Sequence, residues 1–409
     1  AKINGAPPVM DAAVVVQGGR IAQVTTIDAW RRGGDPDLPV HDHAGATLAP
    51  GLIDGHVHLV LTAADTTERL LEDFYSATPD DFAMLAAEHA RLCLLGGVTT
   101  VRDCGGTGTV IQRLRDLIRD GWLVGPRILS SGMPITTRRG HGHFFGLTAD
   151  SDDEVRDALT QLLADGVDFV KVMATGGRIT PGSDISKMQY GLEALTLIAE
   201  TSHAADRRVA AHVLTTEGIA TCVHAGIDTL EHCRFQDPDG SYRYAEEVLA
   251  RMAAQGTYVS LTMAGNMRDA MLARRADPQG YTPSEVDAGR FRTEADMVRR
   301  GLRTFVTSDA GVTRARFEEF PLSVACMCHL LGVDPIQAIA HATGRAAQAL
   351  GIEAETGTIE PGKVADLIVV DGDPARDIDD LARIRTVYRG GRPVVRNGAV
   401  ATAADTRKG

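Results

Sequence analysis

Short apolar runs with strand character alternate with longer helical stretches through most of this chain, and that alternation constrains its architecture more than any other feature. Candidate strands are Gly51 to Val57, Thr99 to Asp103, Arg127 to Ser131, Asp168 to Met173, Arg208 to His212, Thr229 to His232, Tyr258 to Leu261 and Thr304 to Ser308. Helical intervals separate most of them, for example Ala83 to Leu95, Val110 to Arg119, Asp153 to Asp165 and Leu192 to Ala205. Repeated βα units imply a parallel sheet, and the strand count fits a closed (β/α)8 TIM barrel. An open, doubly wound α/β sheet shares the same periodicity, so the residues at the strand ends have to decide.

Both ends of the chain read differently. Ala12 to Gln17, the Gly18-Gly19 turn and Arg20 to Thr25 form a hairpin pattern, and Ala365 to Val370 and Thr386 to Val395 have the same β character between glycines. The chain has 409 residues, long enough for a barrel of about 250 residues plus an accessory domain. The expected division is a barrel over residues 50–352 and a small β-sandwich built jointly from residues 1–49 and 353–409.

A net charge of −12 argues against a nucleic-acid partner, which needs a basic stripe for the phosphates. No apolar run approaches a bilayer span, so no membrane partner is expected. The six cysteines, Cys93, Cys104, Cys222, Cys233, Cys326 and Cys328, lack CxxC spacing, which favours reduced thiols and a cytoplasmic setting. A start at Ala1 in place of methionine is compatible with a removed leader. The expected partners are a small-molecule substrate and further copies of the chain, as a homo-oligomer of unspecified size.

His56 and His58 stand at i and i+2 on an extended strand, which projects both imidazoles to one face where they can share a metal. An isolated HxH pair is a weak signal. His41 and His43 repeat the spacing in a turn-rich segment before the first barrel strand and read as a solvated loop, whereas His56 and His58 end a strand. Lys171, His212, His232 and Asp309 each terminate another apolar strand. Individually, a buried histidine is usually a hydrogen-bonded core residue, and a strand-end aspartate often caps the next helix. Lys171, inside the run Phe169 to Met173, carries a charge too costly to bury unless it is paired, neutralised or modified. A salt bridge, a Schiff base and a carbamate are the open alternatives.

The order HxH, Lys, His, His, Asp on the first, fourth, fifth, sixth and eighth barrel strands resembles the binuclear metal branch of the amidohydrolase superfamily. Leu48 to His58 and Pro361 to Val370 are similar to its first barrel strand and its return into a β-sandwich. The run Lys171 to Gly177, with Ser130-Ser131-Gly132 and Gly140-His141-Gly142-His143 before it, resembles most the group of imidazolonepropionase-like proteins, metal-dependent dipeptidases and carboxypeptidases.

That resemblance implies two divalent metal ions, most naturally zinc, held by His56 and His58 on one side and His212 and His232 on the other. It further implies a carbon dioxide carbamate on Lys171 bridging them, and Asp309 as both metal ligand and general base and acid for a metal-bridging hydroxide. His141 would touch the substrate carbonyl, with His143 as the second candidate. Leu214 departs from the pattern, because peptide-cleaving members often carry a tyrosine two residues after the fifth-strand histidine. The implied reaction is hydrolysis of an amide-type C–N bond in an N-acyl amino acid, dipeptide, carbamate, urea or lactam. A mononuclear deaminase or imidazolonepropionase-type hydrolase is the nearest alternative, and a non-catalytic scaffold the remaining one. Arg234, Arg243, Arg314 and Arg316 lie in loops that could grip a substrate carboxylate, although solvated surface arginines are the ordinary reading.

Overall fold

A computed structural model describes residues 9–35, 37–277 and 280–404. The outer ends of the expected sandwich segments, Pro36, Pro278 and Gln279 lie outside the described residues.

The amino-terminal hairpin pairs β1 (Ala12–Gln17) with β2 (Arg20–Thr26). Strand β3 (Ala46–Pro50) then leads through Gly51 into β4 (Leu52–Val57), followed by β5 (Val98–Asp103) and β6 (Arg127–Ser130). Two short strands, β7 (Ile135–Thr136) and β8 (Leu147–Thr148), precede β9 (Val170–Met173) and β10 (Val209–Thr215). The next three are β11 (Thr229–Gln236), β12 (Tyr258–Thr262) and β13 (Arg303–Thr307). Each candidate strand from the sequence overlaps one of β4, β5, β6 and β9 through β13.

These strands form two parallel sheets, one in the order β4-β5-β6 and one in the order β13-β12-β11-β10-β9-β7-β8. The sheets meet at both seams. The Asp309 N–H donates to His56 O at 2.9 Å and the His58 N–H to Ala310 O at 2.7 Å, while on the other side the Asp168 N–H donates to Ser130 O at 2.8 Å. The result is an α/β fold with a TIM-like barrel arrangement. Strands β4, β5, β9 and β10 are buried at every position, as a parallel sheet covered on both faces requires.

Helices return the chain between strands, and their starts are written locally. Thr78 and Asp81 form a capping box ahead of the helix Pro79–Leu95, with proline at its first position. Ser151 caps Asp152–Ala164, whose first turn carries Asp152, Asp153 and Glu154 against the positive end of the helix dipole. The sequence pattern placed the first of these helices a few residues late, because it followed apolar periodicity and Pro79-Asp80-Asp81 is polar.

At the carboxyl end β14 (Leu367–Asp371), β15 (Ile384–Arg389), β16 (Arg392–Arg396) and β17 (Ala399–Val400) join β3 in an antiparallel sheet of order β17-β16-β15-β14-β3. The β1-β2 hairpin is tied to the residues before β14 by Ile21 N–H to Lys363 O at 2.8 Å and Ala365 N–H to Gly19 O at 2.9 Å. Ile21, Ala365, Leu367, Val369 and Tyr388 form a separate apolar cluster there. His41 is exposed, as its turn-rich setting suggests, and His43 is half-buried. Although they lie in a loop, His41 Nδ1 and His43 Nε2 sit 2.7 and 2.8 Å from the hydroxyl of Tyr388, and neither belongs to the barrel.

Candidate active site

The barrel strands deliver their terminal polar residues to one rim. His56 and His58 end β4 and are 2% and 4% exposed, so a pair of imidazoles has been taken almost wholly from water. His58 Nδ1 lies 3.1 Å from the carbonyl of Gly105, which leaves its Nε2 facing Asp309. His56 Nε2 and His58 Nε2 stand 3.4 and 3.5 Å from Asp309 Oδ1. This trio can hold a cation, and its ligand atoms all lie within 4.8 Å of one another.

The other predicted residues stand against it. The His232 ring lies 5.2 Å from that of His56 and 4.6 Å from that of His212, and His141 lies 4.4 Å from His212, centroid to centroid. Lys171 is 1% exposed, and its charge acts on His56, His141, His212, His232 and Asp309. The fold thus brings together all of His56, His58, His141, Lys171, His212, His232 and Asp309. His143, on the same loop as His141, is half-buried, with its Nδ1 2.9 Å from Gly140 O and its ring against Phe144.

Two buried atoms, Lys171 Nζ and His232 Nδ1, have no hydrogen-bond partner among the described residues. An ammonium and an imidazole nitrogen left so would each be costly, and the surrounding donor set is the type that binds divalent cations. The residues present therefore fit a metal centre. Burial, reinforced by neighbouring cationic and imidazole groups, holds His212 and His232 well below the usual histidine range, and their neutral form is the one that ligates. Asp309 is held at about 2: burial pushes its carboxyl up, and the charges of His56, His58 and Lys171 outweigh it.

The backbone is bent to make this rim. His232 has φ 67° and Asp309 φ 57°, left-handed values that cost a non-glycine residue on the order of 1 kcal/mol each. At Asp309 the turn is fixed by the same N–H that bonds His56 O, so the seam of the barrel and the aim of the carboxylate are one feature. Opposite, the backbone of Gly177 packs onto the His141 ring, where an added Cβ would lie 2.4 Å from Nε2.

His141, 4% exposed, is buried enough to push its imidazole down to about 3, leaving it neutral. Its Nδ1 lies 3.2 Å from Thr180 Oγ1, and that oxygen already accepts the Gly142 N–H at 2.9 Å. When the threonine hydroxyl donates to Nδ1, the ring proton lies on Nε2.

Sequence reasoning missed Glu231 and Arg102. Glu231 is fully buried; its Oε2 lies 2.8 Å from His56 Nδ1, and its other oxygen accepts from the guanidinium of Arg102. Arg102 also donates to Gly55 O at 2.7 Å, immediately before His56. Burial raises the Glu231 carboxyl, but Arg102, His56 and Lys171 hold it far below the carboxylate range. Cys104 and Glu231 approach His56 as well, but Glu231 is engaged by Arg102 and burial pushes the Cys104 thiol up to about 12. The available sequence signal was a pair of opposite charges, one inside Thr99 to Asp103 and one inside Thr229 to His232.

The profile of the amidohydrolase family matches residues 47–394. Ochratoxinase of Aspergillus niger is 26% identical over 94% of this chain and 83% of its own length. Imidazolonepropionase of Symbiobacterium thermophilum is 25% identical over 90% of this chain and 86% of its own. The crystal structure of a Xaa-Pro dipeptidase with bound methionine superposes with a TM-score of 0.77 at 26% identity, covering 93% of this chain and 94% of that one.

Proposed function

The chain belongs to the amidohydrolase family and is a hydrolase acting on carbon–nitrogen bonds, and from that premise we propose that it cleaves an amide-type bond in a small molecule with two divalent cations at the barrel rim. The reading rests on one observation: Lys171 Nζ and His232 Nδ1 are buried among imidazoles and a carboxylate with no hydrogen-bond partner among the described residues. His56, His58 and Asp309 would hold one cation, and His212 and His232 the other. Lys171 would be carboxylated by carbon dioxide, replacing a buried ammonium with a carbamate that would supply two further oxygen ligands. Zinc suits this set of imidazole and oxygen ligands. The names of the relatives, an ochratoxinase and a Xaa-Pro dipeptidase, favour an amide bond.

Bound cations would lower the pKa of a water and polarise the substrate carbonyl. The protein's own groups do the rest. Asp309, ionised and beside His56 and His58, accepts the proton of the attacking water and returns it to the leaving nitrogen. His141, neutral with its proton on Nε2, donates to the carbonyl oxygen as that atom gains charge. Glu231 and Arg102 fix the ring of His56. Leu214, 3% exposed, occupies the place of the tyrosine that peptide-cleaving members carry, so an N-acyl amino acid or another small amide suits the site better than a peptide.

The architecture supports a second part of the reading. We take residues 1–49 and 353–409 as one β-sandwich and residues 50–352 as the catalytic barrel, because β3 pairs with β14 before Gly51 turns the chain into β4.

Metal analysis of the purified protein, paired with a screen of N-acyl amino acids, dipeptides, carbamates, ureas and lactams, tests the proposal. Two equivalents of metal with hydrolysis of at least one amide class is the expected result. One equivalent with release of ammonia from an amino-heterocycle would replace it with a mononuclear deaminase, and metal-free protein that hydrolyses nothing would leave a scaffold.

A further inference from the structure

His141 lies in the loop between β7 and β8, and among the described residues neither its N–H nor its C=O bonds to another backbone group. Side chains take both. Gln189 Oε1 accepts the His141 N–H, and the hydroxyl of the fully buried Thr136 donates to His141 O at 2.7 Å. The two side chains are themselves joined, Gln189 Nε2 donating to Thr136 Oγ1 at 3.2 Å. The same nitrogen donates to Met173 O at 2.6 Å, at the end of β9 and two residues beyond Lys171. These partners fix the orientation of the amide, because its NH2 group has to face the carbonyl and its oxygen the N–H.

Gln189 is held in turn. It stands at the far end of the loop after β9, where its own N–H donates to Ala174 O at 2.8 Å and the Gly176 N–H to Lys187 O at 3.0 Å. Thr175 pairs with Met188, so the loop closes on itself as a hairpin. That hairpin carries Gly177, which packs on the His141 ring, and Thr180, which stands at its Nδ1. Gly140 completes the fit, since a Cβ there would lie 2.4 Å from both Gln189 Oε1 and Thr137 Oγ1. A residue inside a strand takes its direction from the ladder around it. His141 has no ladder, and the carboxamide of Gln189 ties its backbone to the strand that bears Lys171.

We propose that Gln189 is a positioning residue for the reaction: with Thr136 it holds His141 so that the imidazole meets the carbonyl oxygen of the substrate, in register with the groups that β9 brings to the site. This rests on the reading of His141 as donor to that oxygen and deepens it. Gln189 acts through His141, and a displacement of about 1 Å in such a group costs on the order of 100-fold in rate. The glutamine type matters. A glutamate would accept the same N–H but set an oxygen against Met173 O, and a methionine of similar length would satisfy neither. The competing role is a stitch between two loops that serves stability alone.

The test follows hydrolysis of 4-nitroacetanilide by the zinc-loaded wild type, Gln189→Met, Thr136→Val, Thr136→Ser and His141→Ala, and by Gln189→Met combined with His141→Ala. Gln189→Met is expected to lower kcat by about 10- to 100-fold, with KM within about threefold and zinc content unchanged. In the His141→Ala background the same change should alter kcat by less than about twofold, because the group it positions is gone. Thr136→Val should repeat the loss, and Thr136→Ser, which keeps the hydroxyl, should recover most of the rate. Equal loss with and without His141, or full kcat in Gln189→Met, refutes the proposal. A lowered thermal midpoint with kcat of the folded enzyme unchanged means that the amide only stitches the loops, which also refutes it.

Nitrogen-15 NMR of ring-labelled histidine separates this from failure of the reading on which it rests. The signals of the His141 ring are those lost in His141→Ala. Should wild type leave the probe uncleaved, or His141→Ala cleave it at full rate, a shift of those signals in Gln189→Met, with the His341 signals in place, would uphold Gln189 as the residue that sets the ring. Unchanged His141 signals would end it.

Discussion

Asp309 Oδ1 lies 3.4 Å from His56 Nε2, so the last strand of the barrel places its carboxylate on the ring carried by the first. The same two residues are joined through the backbone, Asp309 N–H to His56 O at 2.9 Å. One residue therefore both closes the barrel and completes the site.

Replacing Asp309 with Asn keeps the backbone bond and the side-chain shape but removes the proton acceptor. The expected outcome is a fall in kcat of about 100-fold or more, the usual contribution of a positioned base, with metal content nearly unchanged. Metal analysis and steady-state kinetics on one preparation check it, and undiminished turnover would end the proton-transfer role.

Lys171→Ala removes the group proposed to join the two cation positions. It should lose at least one metal equivalent and most activity, and millimolar formate or acetate should restore part of the activity by supplying the missing oxygens. Retention of both metals without any added acid would argue against a carbamate.

Glu231 sets a different test, because it touches His56 on the edge away from Asp309. In Glu231→Gln the affinity for metal should fall about 10- to 100-fold, as when an outer partner of a ligating histidine is lost. Stability should also fall by several kcal/mol, since Arg102 is left as a buried charge without its partner. Adding Arg102→Met removes that stranded charge. The double variant should regain stability while its metal affinity stays low, and chelator competition alongside thermal melting would show whether the two effects separate in this way.

The metal-ligand candidates were legible because each stands at or near the end of a largely apolar strand, a pattern that costs too much to occur so often without a purpose. His212 and Lys171 are examples, each the lone polar side chain within Val209–Val213 and Val170–Met173. Glu231 was not legible in the same way. Its partner Arg102 is 129 residues distant, and nothing in the local periodicity of β5 or β11 says that their side chains meet across the barrel interior. The four loop arginines were not separable by sequence, because exposure and pairing with aspartates, which mark Arg243 and Arg314, are tertiary properties. Asp54 is a further case. It accepts from Ser308 N–H at 3.1 Å and His56 N–H at 3.3 Å, a bracing contact between first and last strands that a residue inside a strand motif does not announce.

Away from the site, His341 gives the fold a pH dependence of its own. The ring is 1% exposed, with Nε2 2.9 Å from Thr304 Oγ1 on β13 and Nδ1 2.7 Å from Gln337 O. Burial, helped by the charge of Arg345 and opposed by the Gln337 carbonyl, lowers its imidazole from the ordinary 6.5 to about 4. The folded protein thus holds this ring neutral where the unfolded chain would protonate it. Its stabilising contribution is complete above about pH 6.5 and is lost as pH falls toward 4, by about 3 kcal/mol in all. Thermal midpoints measured between pH 4 and pH 7 should rise with pH, and His341→Gln, which cannot titrate, should flatten the slope while lowering the midpoint at pH 7. The same slope in wild type and variant would move the acid sensitivity to other groups.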